Sequence, residues 1–471
     1  MAVAPPPPLS FNPARRIATH LRDERRSRRR ASLPPGELSF SLARTRRFAA
    51  DPLGTLLDFY RRFGPVFTVR VLHLPVVVVL GPEANRHLLI ENARNFHWRE
   101  GSMGDLIPLL GDGLLTIDGE PHHTARRIML PAFHHERVAA AGATMLSEAQ
   151  RALDELDVGA RVDLYAFMRR LTLRIAMRAL FGFSERDERA MAETFERALR
   201  FYSRDYLLQI LRGPATPWAA MRRARRELDA VIDSEVARRR ASDERDGGLL
   251  SLLLDGHDEA GRPLPTDQIR DQVMTLLFAG HDTATSTVTF LMYELSRHPR
   301  ALEAVVAEQD RVLPGGRPPT GAELLEGLPQ LEMALDETLR LWPPAWVGPR
   351  RAVDDFELHG HRIPGGSFVE YCSWASHRLP DVFPDPEAFV PERFAPEARA
   401  ALPKGAYVPF GGGSRMCIGM RFGQAEVKAI ATLLLQRFRP ELDAGYRLRV
   451  RQMPTLSPRD GLPVVLRPRA G

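Results

Sequence analysis

The chain has 471 residues, 44% of them hydrophobic, which is enough for two or three ordinary domains and an ample globular core. Its formal charge of +6 resides entirely in residues 1–35, where eight arginines face only Asp23 and Glu24; the neutral remainder gives no electrostatic argument for nucleic-acid binding. Two cysteines exclude a disulfide framework, and no run of eighteen apolar residues offers a transmembrane segment, so a cytoplasmic protein is expected.

Residues 1–35 have the composition of a disordered segment: Pro5 to Pro8, then Arg25-Arg26-Ser27-Arg28-Arg29-Arg30, then Leu33-Pro34-Pro35. Such a segment is either a solvated tail or a basic arm touching an anionic membrane surface or an acidic partner. Residues 51–63 are helical in pattern. Val66 to Val71 and Val76 to Leu80 then read as two strands of a small sheet, joined at His73-Leu74-Pro75. Residues 96–115 read as a loop in which glycines alternate with Met103, Leu106, Ile107, Leu109 and Leu110; an apolar loop of that length is unusual unless it covers something.

His122 and Arg126, four apart, share a helical face. His122, His123, His134 and His135 invite a metal-site reading, but no His-Glu-x-x-His is present and adjacent histidines on a helix diverge. Residues 139–240 carry apolar side chains at helical spacing, interrupted at Gly213-Pro214-Ala215-Thr216-Pro217. Thr266 is the expected N-cap of a helix from about Asp267 to Arg297, a rod of about 45 Å at ~1.5 Å per residue.

The middle of that helix reads Phe278-Ala279-Gly280-His281-Asp282-Thr283-Ala284. A glycine there costs about 1 kcal/mol, so it needs a reason, such as a flat ligand or a diatomic molecule lying against the backbone. Thr283 can bond back to the Ala279 carbonyl. An acid beside a hydroxyl can relay protons into an apolar cavity, although the same stretch reads equally as a buried helix with one close glycine contact and a polar face. Further on, Glu337 and Arg340 share a helix face, and Cys372 sits in a strand-like run as a buried structural thiol.

Near the end, Pro409-Phe410-Gly411-Gly412-Gly413-Ser414-Arg415-Met416-Cys417-Ile418-Gly419 wraps a cysteine in glycines. Glycines let the backbone bend until several N–H groups point at the sulfur, which stabilises a metal-binding thiolate. Phe410, Gly413, Arg415, Cys417 and Gly419 match the Phe-x-x-Gly-x-Arg-x-Cys-x-Gly signature. Through it the chain resembles the cytochrome P-450 family, over about residues 33 to 468.

The resemblance implies a mainly α fold with small β-sheets, one large helical haem domain over 36–471 behind the N-terminal segment 1–35. It implies haem b, iron protoporphyrin IX, with Cys417 as the axial metal ligand in a loop shaped by Phe410 and Gly419. His122 and Arg126 match the family's haem-propionate helix, with His where Trp also occurs. Arg350, with Arg351 as the alternative, matches the strand arginine that meets a propionate, and Arg415 is a further candidate on the cysteine loop. Asp282 and Thr283 match the oxygen-activation motif, departing only at Ala284, and would deliver protons to dioxygen. Glu337, Arg340 and Arg393 would form a buried structural triad, and the helices flanking 213–217 would roof the substrate pocket.

The reaction implied is monooxygenation of an apolar small molecule such as a fatty acid, terpenoid or steroid. Leu106, Ile107, Leu110, Leu207, Ile210, Phe278 and Leu456 are the expected pocket residues. Electrons would come from a ferredoxin or flavodoxin with its reductase, since no flavin or nicotinamide domain is visible. The alternatives are a peroxide-driven or isomerising haem-thiolate enzyme, against which Asp282-Thr283 argues, and a non-catalytic haem carrier or gas sensor, for which no appended signalling domain speaks.

Overall fold

The computed structural model describes residues 9–29, 31–204, 206–242 and 247–469. A six-stranded sheet runs, in spatial order, through Gly36–Glu37 (β1), Val66–Val71 (β2), Leu74–Val79 (β3), Phe368–Cys372 (β6), Val347–Ala352 (β5) and Phe96–His97 (β4). The valine-rich hairpin forms as its pattern predicts, with β2 and β3 antiparallel from Val66↔Val79 to Val71↔Leu74. β6 lies parallel to β3, and β5 antiparallel to β6 with Arg350↔Val369 and Arg351↔Phe368. Successive strand residues point to opposite faces, so Arg350 and Arg351 leave β5 on different sides of the sheet. Residues 96–115 are more ordered than a loop: β4 is followed by the helical turns Ser102–Leu106 and Ile107–Leu110, with Leu109 and Leu110 fully buried.

The N-terminal expectation is corrected in part. Residues 1–8 lie outside the described residues, but Pro13–Arg28 is a helix (α1), capped by Asn12, whose Oδ1 accepts from the N–H groups of Ala14 and Arg15 at 3.1 and 3.2 Å. Proline at its first position costs no hydrogen bond. His20, Asp23, Glu24 and Ser27, at helical spacing, face the sheet. His20 Nδ1 lies 3.0 Å from His73 Nε2, Arg351 Nη2 donates to Asp23 at 2.8 Å, Arg70 pairs with Glu24, and Ser27 Oγ donates to the Gly365 carbonyl at 3.0 Å. A composition reading misses this helix because its inner face is polar and its partners lie 46 to 338 residues away in the chain.

Helices build the rest. Those that position the site are Gly119–Met129 (α2), Leu164–Ile175 (α3), Glu185–Leu199 (α4), Pro217–Ser242 (α5), Thr266–Arg297 (α6), Pro329–Leu341 (α7) and Met420–Arg437 (α8). α6 packs on α3 and α8 and is buried along most of its length. Its cap is Pro265 rather than Thr266, whose hydroxyl instead accepts from Arg240 at 2.8 Å. Three buried threonines of α6 bond back one turn, Thr285 to His281, Thr287 to Thr283 and Thr289 to Thr285, at 2.8, 2.8 and 2.7 Å. No helix among the described residues is long and apolar enough to cross a membrane.

α7 is tied to the segment before the cysteine loop by the expected triad. Glu337 and Arg340, both fully buried, pair at 2.7 Å, and Arg393 lies 3.4 Å from Glu337. Arg340 spends its remaining donors on the carbonyls of His377, Pro386 and Ala388, at 2.9, 2.7 and 3.0 Å, so no guanidinium N–H is left unmatched. Cys372 is fully buried and its sulfur accepts from the Ala375 N–H at 3.3 Å, a structural thiol as expected.

Candidate active site

Along α6, residues 272–278 and 284–295 are buried without interruption, whereas Ala279, Gly280 and Thr283 are partly accessible. Ala279 and Thr283, four apart, share one helix face, and Gly280 borders it. A Cβ built on Gly280 would meet nothing within 4 Å, so an open space lies against this turn, inside an otherwise packed helix. Thr283 Oγ1 donates to the Ala279 carbonyl at 2.5 Å, which turns the hydroxyl oxygen's lone pairs toward that space.

Asp282 takes a different direction. Its buried carboxylate accepts from Arg169 Nη1 on α3 at 2.7 Å and from Thr455 Oγ1 at 3.2 Å. Arg169 also holds Glu196 on α4 at 2.7 Å and the Tyr165 hydroxyl at 2.9 Å, and Glu196 lies 3.0 Å from His281 Nε2. Burial would lower the Arg169 pKa, but Asp282, Tyr165 and Glu196 raise it above its ordinary value. Burial would likewise raise Glu196, yet the His281 and Arg169 bonds bring it down to about 2. Thr172 completes the network from His281 Nδ1, 3.2 Å away, to Thr285 Oγ1 at 2.7 Å. Arg169 and Glu196 escape sequence reading, because nothing local marks them as partners of Asp282 and His281, 113 and 85 residues further along the chain.

The cysteine loop forms as its glycines suggest. Gly411 and Gly413 have φ of 69° and 61°, and a side chain at Gly413 would run into the Leu89 carbonyl. The Cys417 N–H donates to the Phe410 carbonyl at 2.9 Å, closing the loop just before Gly419 caps α8. Phe410 packs on the main core. Cys417 lies deep in the molecule yet is accessible, the signature of a side chain facing an internal space. Burial pushes its thiol pKa up, against the Gly419 N–H and the Arg126 charge. One turn into α8, a Cβ on Gly423 would also meet nothing within 4 Å.

Beside this loop the structure gathers His122, Arg126, Arg350 and Arg415. Arg350 is buried between rings, its guanidinium 3.9 Å from the Trp98 centroid and 5.5 Å from that of Tyr371, and it donates to the Pro349 carbonyl at 2.9 Å. Arg415 lies over the same Trp98 ring at 5.0 Å and donates to Asp118 at 2.5 Å and to the Ile117 carbonyl at 2.7 Å. Arg351 is absent from the cluster, being drawn to Asp23 and Phe368 on the other side. Burial and the neighbouring cations Arg350 and Arg126 bring Arg415 down to about 10, despite Asp118. Burial, Arg415, Arg126 and His123 bring His122 down to about 3, so its imidazole is neutral, and its buried Nδ1 has no hydrogen-bond partner.

Three guanidinium groups, of which only Arg415 bonds a carboxylate among the described residues, together with an orphaned histidine nitrogen form a site short of negative charge. Together with a soft sulfur ligand and open backbone at Gly280 and Gly423, this donor set fits a flat metal macrocycle bearing acidic arms.

A family model of cytochrome P450 matches residues 34–459. The chain is a cytochrome P450. Like its family it is a haem-thiolate monooxygenase using haem b, dioxygen, an organic substrate and redox partners. The P450 is 34% identical to cyclooctatin synthase of Streptomyces melanosporofaciens over 403 residues, 84% of this chain and 87% of that protein. It is also 34% identical to cyclooctat-9-en-7-ol 5-monooxygenase of the same organism over 387 residues, 80% of this chain and 82% of that protein. Among solved structures, the retinoic acid bound cyanobacterial CYP120A1 superposes with a TM-score of 0.83 at 30% identity, covering 93% of this chain and 99% of that one. Monooxygenase membership sets aside the carrier or sensor reading.

Of the expected pocket residues, Leu106, Leu110, Phe278 and Leu456 are buried and Ile107 and Ile210 partly so; the Leu207 side chain lies outside the described residues. Leu456 is fully buried in the core, where its carbonyl accepts from Ser286 of α6.

Proposed function

We propose that this P450 hydroxylates or epoxidises an apolar small molecule, a fatty acid, terpenoid or steroid-like compound, with electrons from a separate ferredoxin or flavodoxin and its reductase. The observation that carries the reading is the accessible surface of Ala279, Gly280 and Thr283 within an otherwise buried helix. Relatives support the substrate class: one is named for cyclooctat-9-en-7-ol, an alkene bearing a single hydroxyl, and a solved neighbour holds retinoic acid.

In this reading Cys417 is the thiolate ligand, and metal binding removes the proton that burial would otherwise hold on its sulfur. Phe410 and Gly419 brace and turn the ligand loop. Arg126, Arg350 and Arg415 hold the haem carboxylates, with neutral His122 donating from its ring. Haem, when bound, supplies the electron-transfer and oxygen chemistry that puts one atom of dioxygen into the substrate and releases the other as water. Thr283 holds a hydroxyl at the edge of the open space, its proton on the Ala279 carbonyl and its oxygen free to accept another. Asp282 stores a carboxylate on the far side, and a proton passing from it toward Thr283 requires its bonds to Arg169 and Thr455 to open. The apolar walls exclude water from the reacting C–H or C=C bond.

The test is reconstitution with ferredoxin–reductase and flavodoxin–reductase pairs over a panel of fatty acids, terpenoids and steroids. Oxygenated product from at least one apolar class is expected. Turnover supported only by polar or charged substrates, or by peroxide and by no reductase, would overturn the proposal.

A further inference from the structure

The first described residues touch parts of the molecule far from the sheet on which α1 rests. The Leu9 side chain packs on Gly104 so closely that a Cβ at Gly104 would overlap its methyl group. The Phe11 ring lies 6.4 Å from the Trp218 ring, and the Phe11 carbonyl accepts from Arg212 Nη2 at 3.0 Å. Arg212 in turn stacks 4.0 Å over Trp218. Arg16 pairs with Asp105. The far sides of these two patches also meet: the Tyr202 hydroxyl donates to the Asp105 carbonyl at 3.2 Å, and Phe201 stands edge-on to Tyr202 and Trp218 at 5.0 and 5.8 Å. A closed ring of contacts therefore runs from Leu9 and Arg16 through residues 104–105 and 201–202 to Trp218 and back to Phe11.

The segment 101–114 spans the ground between the arginine cluster and α6. Gly101 sits directly on the Arg350 backbone. At the other end, the Asp112 and Leu114 N–H groups donate to Asp271 and Gln272 of α6, at 2.8 and 2.9 Å. Gln272 lies eight residues before Gly280, about 12 Å along the helix axis at ~1.5 Å per residue. The segment thus runs from the arginine cluster to the turns of α6 that precede Gly280, and its outer edge forms a seam with residues 201–218.

We propose that residues 9–24 are a strap that clamps this seam and so sets the size of molecule that reaches the space before Gly280. The proposal rests on reading that space as the substrate site. One end of the strap is held to the sheet by Asp23–Arg351 and Glu24–Arg70, and the other holds both lips of the seam at once. Parting the lips requires breaking Arg16–Asp105 or Phe11–Trp218. The strap lies ahead of residue 34, outside the stretch that matches the family model.

The test compares two azoles that ligate haem iron, imidazole and the bulky 1-(triphenylmethyl)imidazole, by stopped-flow absorbance on the full-length holoenzyme. In the variant Leu9→Ala/Phe11→Ala/Arg16→Glu, entry of the bulky azole is expected to speed up roughly tenfold and imidazole entry to stay unchanged. Arg16→Glu alone is expected to give about a threefold effect, the scale of a partly exposed ion pair, and Asp105→Arg in that background to reverse it. Hydrogen exchange of residues 101–106 should quicken in the triple variant. Unchanged entry of the bulky azole, equal acceleration of both azoles, or unaltered exchange would each overturn the strap. If neither azole perturbs the haem spectrum even in the parent, it is the active-site reading that fails, and the exchange measurement still decides whether the strap clamps the seam.

Discussion

Arg169 Nη1 on α3 lies 2.7 Å from Asp282 Oδ1 on α6, and this ion pair holds Asp282 away from its sequence neighbour Thr283. One residue of a helix is a rotation of about 100°, so adjacent residues cannot share a face. Thr283 meets the open space, while Asp282 belongs to a polar network with Arg169, Glu196, His281 and Thr455. The helix therefore sets the acid and the alcohol on different faces, and the Arg169 and Thr455 bonds keep the acid on its own.

Arg169→Ala leaves the Asp282 carboxylate buried without its cation, and a loss of about 3 kcal/mol is expected from the chemical-denaturation midpoint. Asp282→Asn keeps the bond from Thr455 and introduces no unpaired charge, so its loss should be about 1 kcal/mol. Equal losses in the two variants would remove the ion pair from the account.

Thr283→Ala deletes the hydroxyl at the edge of the space and leaves the helix packing in place. Haem content and stability are expected to stay near those of the parent. Product formed per electron pair consumed should fall roughly tenfold, part of the ~100-fold or more that a positioned proton donor contributes. Simultaneous measurement of product and reductant consumption checks this, and full coupling would take Thr283 out of the mechanism.

Cys417→Ser removes the sulfur while keeping the loop closed by the Cys417 N–H bond to Phe410. The reduced carbonyl complex should lose its thiolate-type absorption band. Retention of that band would refute the assignment of Cys417 as ligand.

Arg340→Ala strips the fully buried Glu337 of its partner and leaves the carbonyls of His377, Pro386 and Ala388 without donors. A loss of about 3–5 kcal/mol is expected, with little folded protein recovered at all. A variant that folds with near-parental melting would show that the triad is dispensable.

Docking of α1 should weaken in acid. His20 packs against His73, Arg16 and Arg351, with Glu24 and Asp23 nearby, and burial followed by those cations and His73 brings its pKa from 6.5 down to about 3. Because the docked state resists protonation, the undocked state binds the extra proton between those values. Docking is thus complete above about pH 6.5 and declines as pH falls toward 3. Hydrogen exchange of residues 13–28 should accelerate across that window, and His20→Phe should flatten the dependence.

The stretches that carry the proposed chemistry were legible in the sequence, because the cysteine loop and the turn from Gly280 to Thr283 are local objects. Gly413 must adopt a positive φ beside the Leu89 carbonyl, and Gly280 must leave space, whatever the rest of the chain does. The helices and the valine hairpin were legible for the same reason, as periodic patterns over a dozen residues. Three other matters belonged to the tertiary structure. The choice of Arg350 over Arg351 came from strand alternation and from which side of the sheet Trp98 and Asp23 occupy. The partner that Asp282 meets on its own face of the helix, Arg169, came from more than a hundred residues away. The order in residues 13–28 came from ion pairs with Arg70 and Arg351, which no scan of composition can see, because a charge in sequence carries no record of its partner. Local backbone demands are written one residue after another, whereas long-range charge pairing exists only once the chain has folded.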